Sequence, residues 1–195
     1  YWCILMEESE RLYYPPGGIL IWMVIFLELF TFSMGLVAFN FYRVDEPIIF
    51  AEGQAMLNTA LGMINTLVLL TSGFLMALSV QALKSGKKKT SISLMRTTAL
   101  LGVLFIVLKA TEYSEKLQIG IGIEHDAFFM FYWLLTGFHF IHVLIGVVIL
   151  LFLSVRTGNA VYGPSNLADI EAGAAFWHMC DLIWLMLFPV IYLLH

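Results

Sequence analysis

The 195 residues are 61% hydrophobic and only 12% charged, with a mean hydropathy of +0.89; a water-soluble fold of this composition would lack the polar surface to cover itself. Ten basic against fourteen acidic residues leave a formal charge of -4, which argues against nucleic acid as a partner. The two cysteines, Cys3 and Cys180, are far apart and suggest neither a disulfide framework nor a paired metal site, so both are expected as free thiols.

In chain order, residues 1–18 hold Glu7, Glu8, Glu10 and Arg11 ahead of Pro15-Pro16-Gly17-Gly18. They lack the basic n-region and small-residue cleavage pattern of a secretory signal, so no cleaved signal is expected. Five apolar runs follow, at about 19–42, 57–83, 93–113, 127–155 and 172–194. At about 1.5 Å per residue each crosses the roughly 30 Å of a hydrocarbon core as a helix. None alternates apolar and polar residues with a period of two, which argues against barrel strands. The expected fold is therefore all-α, one membrane domain of five transmembrane helices over residues 1–195. Short polar segments connect them: 43–56 with Pro47 and Gly53, 84–90, 114–126 with Gly120 and Gly122, and 156–171 with Gly158, Gly163 and Pro164. No internal or inverted repeat is present, which counts against a transporter.

Five crossings put the N-terminal segment and the second and fourth connections on one side. That side holds Arg11, Lys84, Lys87, Lys88, Lys89, Arg96 and Arg156, whereas the other holds Arg43 and Lys116, with Lys109 in or near the end of the third helix. Basic residues are retained on the cytoplasmic side. The N-terminus is thus expected in the cytoplasm and His195 on the opposite face. Lys84 to Lys89 serve chiefly as this topology signal, and are also placed to touch anionic headgroups.

Polar side chains inside these runs need partners, because an ionisable group costs about 2.5–3.5 kcal/mol at the centre of a spanning helix. Glu28 lies mid-helix in Phe26-Leu27-Glu28-Leu29-Phe30-Thr31, with Thr31 on its own face, and is expected to be protonated or bonded to a facing helix. It reads equally as a structural hydrogen bond and as a proton-linked or lipid-contacting carboxyl. His139 and His142 share one face of the fourth helix with Gly146. On the fifth, His178 and Asp181 are three apart, Trp177, Asp181 and Trp184 share a stripe, and Glu171 precedes small packing residues at the helix start. Spacing alone permits a bis-His haem between His139 or His142 and His178. No Glu-x-x-His pattern for a carboxylate-bridged metal pair is present, and hydrogen bonding between packed helices is the preferred account.

Taken together, Leu20-Ile21-Trp22-Met23-Val24-Ile25-Phe26-Leu27-Glu28, Glu112-Tyr113, Thr136-Gly137-Phe138-His139-Phe140-Ile141-His142, Glu171-Ala172-Gly173-Ala174 and Trp177-His178-Met179-Cys180-Asp181-Leu182-Ile183-Trp184 resemble subunit III of the haem-copper oxidases, over nearly the whole chain and in the same order. The resemblance implies an integral-membrane accessory subunit without a redox centre, packed on a catalytic subunit I that carries haem with copper or iron. No catalytic, cofactor-binding or metal-binding residue is then expected in this chain. In larger relatives the subunit binds phospholipid and sustains proton uptake and turnover, so bound phospholipid is expected to be compatible here.

By the same resemblance, Glu28 matches the family's buried, carbodiimide-sensitive acid. Glu112, His139, His142, His178 and Asp181 match positions that hold the bundle together, and Tyr113, Thr136, Glu171 and Trp184 are counted in the same interhelical polar network. Larger members carry two further N-terminal helices enclosing a lipid-filled cleft, so no such cleft is expected within these five. The run Glu112-Tyr113-Ser114-Glu115-Lys116-Leu117 with Asp126-Ala127-Phe128-Phe129-Met130-Phe131-Tyr132 is especially similar to the subunit-III-like protein accompanying bacterial nitric oxide reductases; five-helix quinol oxidase subunits are similar too. The expected function is a non-catalytic subunit in a bacterial cytoplasmic membrane, beside an oxygen- or nitric-oxide-reducing enzyme. A small proton-coupled transporter or channel is the alternative, motivated by Glu28, Lys109 and Asp181 at membrane depth.

Overall fold

A computed structural model describes residues 15–159, 162 and 166–194. Cys3, Arg11, Gly163, Pro164 and His195 lie outside them. The described chain runs α1 (Ile19–Asp45), α2 (Pro47–Ala55), α3 (Thr59–Lys84), α4 (Lys88–Gln118), α5 (Ala127–Gly158) and α6 (Ala168–Phe188), the last continued by a π-helical turn over Pro189–Leu193. Five of these helices, all but α2, are long and apolar enough to cross a membrane.

Local chemistry sets the helix ends. Gly18, with φ of 91°, turns the chain into α1, and the Trp22 indole donates back to the Pro16 carbonyl at 3.0 Å. Asn58 caps α3 by accepting from the Leu61 N–H at 3.0 Å, and Asp126 caps α5 by accepting from the Phe129 N–H at 2.8 Å. Gly120 closes α4 with φ of 80°; its N–H donates to Leu117 and the next N–H to Lys116.

Three boundaries differ from the sequence expectation. The 43–56 connection contains a helix: Pro47 occupies a first-turn position, where a missing N–H costs nothing, and Gly53 is packed under Phe128 rather than breaking the chain. Helix α4 runs five residues past the expected 93–113 at each end, so Glu112 and Tyr113 lie inside it rather than after it. Helix α6 begins at Ala168, which puts Glu171 in its first turn. Charged residues ended the apolar runs in the sequence but not the backbone hydrogen bonding, because helices longer than the hydrocarbon core continue into the headgroup layer.

Helices α3 and α4 form an antiparallel pair with small side chains at the contact. Ser79 donates to the Ser91 carbonyl at 2.9 Å, and Thr98 bonds the Ser72 carbonyl. In lipid, where apolar surface gives little drive to associate, close approach and such bonds hold helices together. Helix α5 buries Phe128, Tyr132, His139, Val143, Gly146, Leu150 and Leu153 along one face and packs between α4 and α6. Helix α1 is the most peripheral of the spans, burying Ile25, Phe32, Leu36 and Phe39 while Leu20, Met23, Phe26, Leu27, Phe30, Met34 and Phe41 are exposed. That outward apolar face suits a bilayer and would be a liability in water.

Candidate functional site

Polar residues gather in three groups inside this bundle. Nearest the α4 C-terminus, Lys109 and Glu112, both 1% exposed, form an ion pair at 3.1 Å. Tyr132 from α5 and Tyr192 from the end of α6 each donate to Glu112 Oε1, at 2.8 and 2.7 Å. The Lys109 ammonium donates to Glu112 Oε2, to the Tyr132 hydroxyl at 3.2 Å and to the Tyr192 hydroxyl. All three ammonium protons are thereby used, and each phenol both gives and receives. Rings of Tyr113 and Trp184 lie 5.0 and 5.6 Å from the charge. The cluster ties α4, α5 and α6 together. Next to it the Tyr113 hydroxyl donates to Thr136 at 2.9 Å.

At mid-depth Glu28 on α1 meets His142 on α5, Oε2 to Nε2 at 3.3 Å. His142 Nδ1 is 2.8 Å from the Phe138 carbonyl, so it carries a hydrogen. The Glu28–His142 contact then needs one proton, held on Nε2 or on the carboxyl. His139, one turn away, departs from expectation. It is fully buried with no hydrogen-bond partner among the described residues, stacked on Trp184 at 5.3 Å with Phe105 edge-on at 5.7 Å. Its partners are aromatic faces, not a facing polar group.

The third group lies between α3 and α6. His178 and Asp181 are 3.4 Å apart on the same helix, so this contact orders one face of α6 rather than bridging two helices. Asp181 lies against Gly73, where an added Cβ would fall 2.0 Å from its Oδ2. Gly73→Ala is therefore expected to displace the carboxylate and lower stability by about 1–3 kcal/mol; thermal unfolding in detergent checks this, and a wild-type melting curve would contradict it. The indoles of α6 make the interhelical bonds: Trp177 Nε1 to Ser72 at 3.1 Å and Trp184 Nε1 to Thr66 at 2.9 Å. Glu171 pairs across to Lys84 on α3 at 2.7 Å.

Sequence reasoning missed Tyr132, Tyr192, Ser72 and Thr66, and read Lys109 as a charge in or near a helix end and at membrane depth, without its partners. One readable signal was Lys109-x-x-Glu112, opposite charges three apart on one helical face. Beside the polar groups, a cavity of about 510 Å³ opens between α1, α3 and α6, lined by Trp22, Ile25, Leu29, Val80 and Met179, with Lys84 and Glu171 in its wall.

Residues 17–195 match the family model described as cytochrome c oxidase subunit III. The chain is 31% identical to a "Probable cytochrome c oxidase subunit 3" of Mycobacterium tuberculosis over 176 residues, 90% of this chain and 85% of that protein. It is 35% identical to the "Cytochrome c oxidase subunit 3" of Osphranter robustus over 131 residues, 67% of this chain and 49% of that one, so it spans about half the length of such relatives. A third relative, 27% identical over 178 residues, is the "Heme-copper oxidase subunit I+III" of Aeropyrum pernix, with 88% of this chain and 22% of that protein covered.

Proposed function

The chain belongs to the cytochrome c oxidase subunit III family, and on that premise we propose that it is the non-catalytic membrane subunit of an oxygen-reducing haem-copper oxidase, seated on the catalytic subunit I and sustaining its turnover. The observation that carries this reading is how the buried charges are used: Lys109 and Glu112 are spent on each other and on Tyr132 and Tyr192, bracing α4, α5 and α6 rather than facing an aqueous path as a transporter's charges would. The fused relative supports the choice of partner, since its printed name joins subunits I and III in one polypeptide.

The donor set supports placing haem and metal in the partner. His139 is enclosed by aromatic rings, and His142 spends one nitrogen on Phe138 and the other on Glu28. His178, the other half of the haem pair that spacing permits, sets its Nδ1 against Asp181 at 3.4 Å.

We place the end bearing Lys84, Lys87, Lys88, Lys89, Arg96 and Arg156 in the cytoplasm of a bacterium and the acidic end, with Asp45, Glu46, Glu52, Glu115, Glu124 and Asp126, in the periplasm. The mycobacterial relative, matched over most of its length, supports the bacterial setting. The groove between α1, α3 and α6 would take the acyl chains of a phospholipid, its apolar wall ending at the Lys84–Glu171 pair.

Removing this subunit from the assembled oxidase is expected to leave initial oxygen consumption near normal but to shorten the enzyme's active lifetime during turnover; an unchanged lifetime contradicts the proposal. Glu28→Gln tests the same role at one residue. An amide can still donate to His142 Nε2, so assembly is expected to remain intact while activity decays faster over successive turnovers. Superimposable decay curves would remove Glu28 from function.

A further inference from the structure

Helix α4 exposes one unbroken stripe: Lys89, Ser93, Arg96, Thr97, Leu100, Val103, Leu104 and Val107. Its two ends differ in chemistry. Toward the bundle's interior level the stripe is purely aliphatic, as a lipid-facing surface should be. Toward the α4 N-terminus it becomes cationic and hydroxylic, and there Lys89, Ile92, Ser93, Arg96, Thr97 and Leu100 line a shallow cavity of about 350 Å³.

Among the described residues neither cation is consumed internally. The ion pairs among the described residues involve Lys84, Lys109, His125, His142 and His178, and neither Lys89 nor Arg96. The neighbouring Lys88 is spent on the Gly158 carbonyl at 3.4 Å. The Thr97 hydroxyl donates to the Ser93 carbonyl at 3.1 Å, and exposed Ser93 lies between Lys89 and Arg96 along the stripe, four residues after one and three before the other.

Depth decides what binds there. With 31 residues, α4 is ~46 Å long, against a hydrocarbon core of about 30 Å and about 40–45 Å including headgroups. Centred in the bilayer, it extends about 8 Å, roughly one and a half turns, past the hydrocarbon at each end, which puts Lys89 in the headgroup layer and Ser93 at its inner edge. Side chains on a helix lean toward its N-terminus, so Arg96 reaches outward to the level of Ser93 instead of into the acyl region. A guanidinium, an ammonium and a hydroxyl on one face match a phosphodiester, and the aliphatic stripe continues where its acyl chains would lie.

We infer that this face of α4 is a binding site for an anionic phospholipid, its phosphate held by Lys89, Ser93 and Arg96 and its acyl chains along Leu100, Val103, Leu104 and Val107. The site is on a different face from the α1–α3–α6 groove. It rests on the membrane-spanning reading and not on the identity of the catalytic partner.

The test places the full chain in nanodiscs of equal parts phosphatidylglycerol and phosphatidylcholine and counts the lipids retained on release into the gas phase. The wild type is expected to keep phosphatidylglycerol preferentially, and Lys89→Gln with Arg96→Gln to lower that preference by about 10- to 30-fold. Ser93→Asp, which keeps both cations but adds a repelling carboxylate, is expected to act in the same direction and stands in should the double variant fold poorly. Removing two charges elsewhere at the same end, Lys87→Gln with Arg156→Gln, should change the preference far less. An equal loss in that control would mean general attraction and overturn the site, as would no preference in the wild type. Displacement of the lipid by inorganic phosphate alone would overturn the lipid assignment. None of these outcomes alters whether the chain co-purifies with a haem protein.

Discussion

Glu112→Leu is expected to lower the stability of the chain by about 3–5 kcal/mol, the cost of leaving one partner of a buried ion pair uncompensated. Glu112 accepts from Lys109, Tyr132 and Tyr192, so its loss strands an ammonium and two phenols in the middle of three helices. The double variant Lys109→Met with Glu112→Leu is expected to recover much of that loss, because no charge then remains to be solvated and only the two hydroxyls lack their acceptor. Unfolding followed by circular dichroism in detergent compares the three proteins. A single variant that unfolds like wild type would mean that the pair does not brace the bundle. A double variant no better than the single would assign the loss to packing rather than charge.

Trp177→Ala carries the second large effect, about 3–5 kcal/mol for emptying a fully buried aromatic site. The indole fills a slot that two glycines leave open: a Cβ at Gly102 would come within 2.6 Å of it from α4, and one at Gly146 within 2.8 Å from α5. Its Nε1 also supplies the hydrogen bond to Ser72 on α3, so one side chain on α6 reaches three other helices. Trp177→Phe should retain most of the packing and lose chiefly that bond, about 1 kcal/mol. The converse change, Gly146→Ala, is expected to cost about 1–3 kcal/mol by overfilling the same slot. Equal melting of the Ala and Phe variants would contradict a packing role for the indole.

These contacts show where sequence reading succeeds and where it stops. The five spans were legible because lipid demands about twenty apolar residues in a row, a one-dimensional signal. Helix α2 was not, since Pro47 and Gly53 look like breakers until one is seen at a helix start and the other under an aromatic ring. The three-residue spacing of His139 and His142 gave their shared face, but not their different surroundings. Glu28 meets His142 only because α1 and α5 pack in one particular register, which neither sequence carries alone. Lys109 was legible as a charge and Glu112 as its neighbour; Tyr132 and Tyr192, drawn in from other helices, complete a cluster that no local pattern announces. In His178 and Asp181 the spacing was right and the inference too large, because residues three apart on a helix satisfy each other before they reach across.

The central claim, that this bundle serves as the III-type partner of a haem-copper oxidase, is tested most directly by isolating the full chain through an affinity tag from its native membranes under mild detergent and recording the absorption spectrum of what comes with it. The account predicts a haem protein in constant proportion to the chain, with oxygen reduction in the same fraction. Isolation of the chain alone without haem, together with proton flux when it is reconstituted by itself in liposomes, would contradict it.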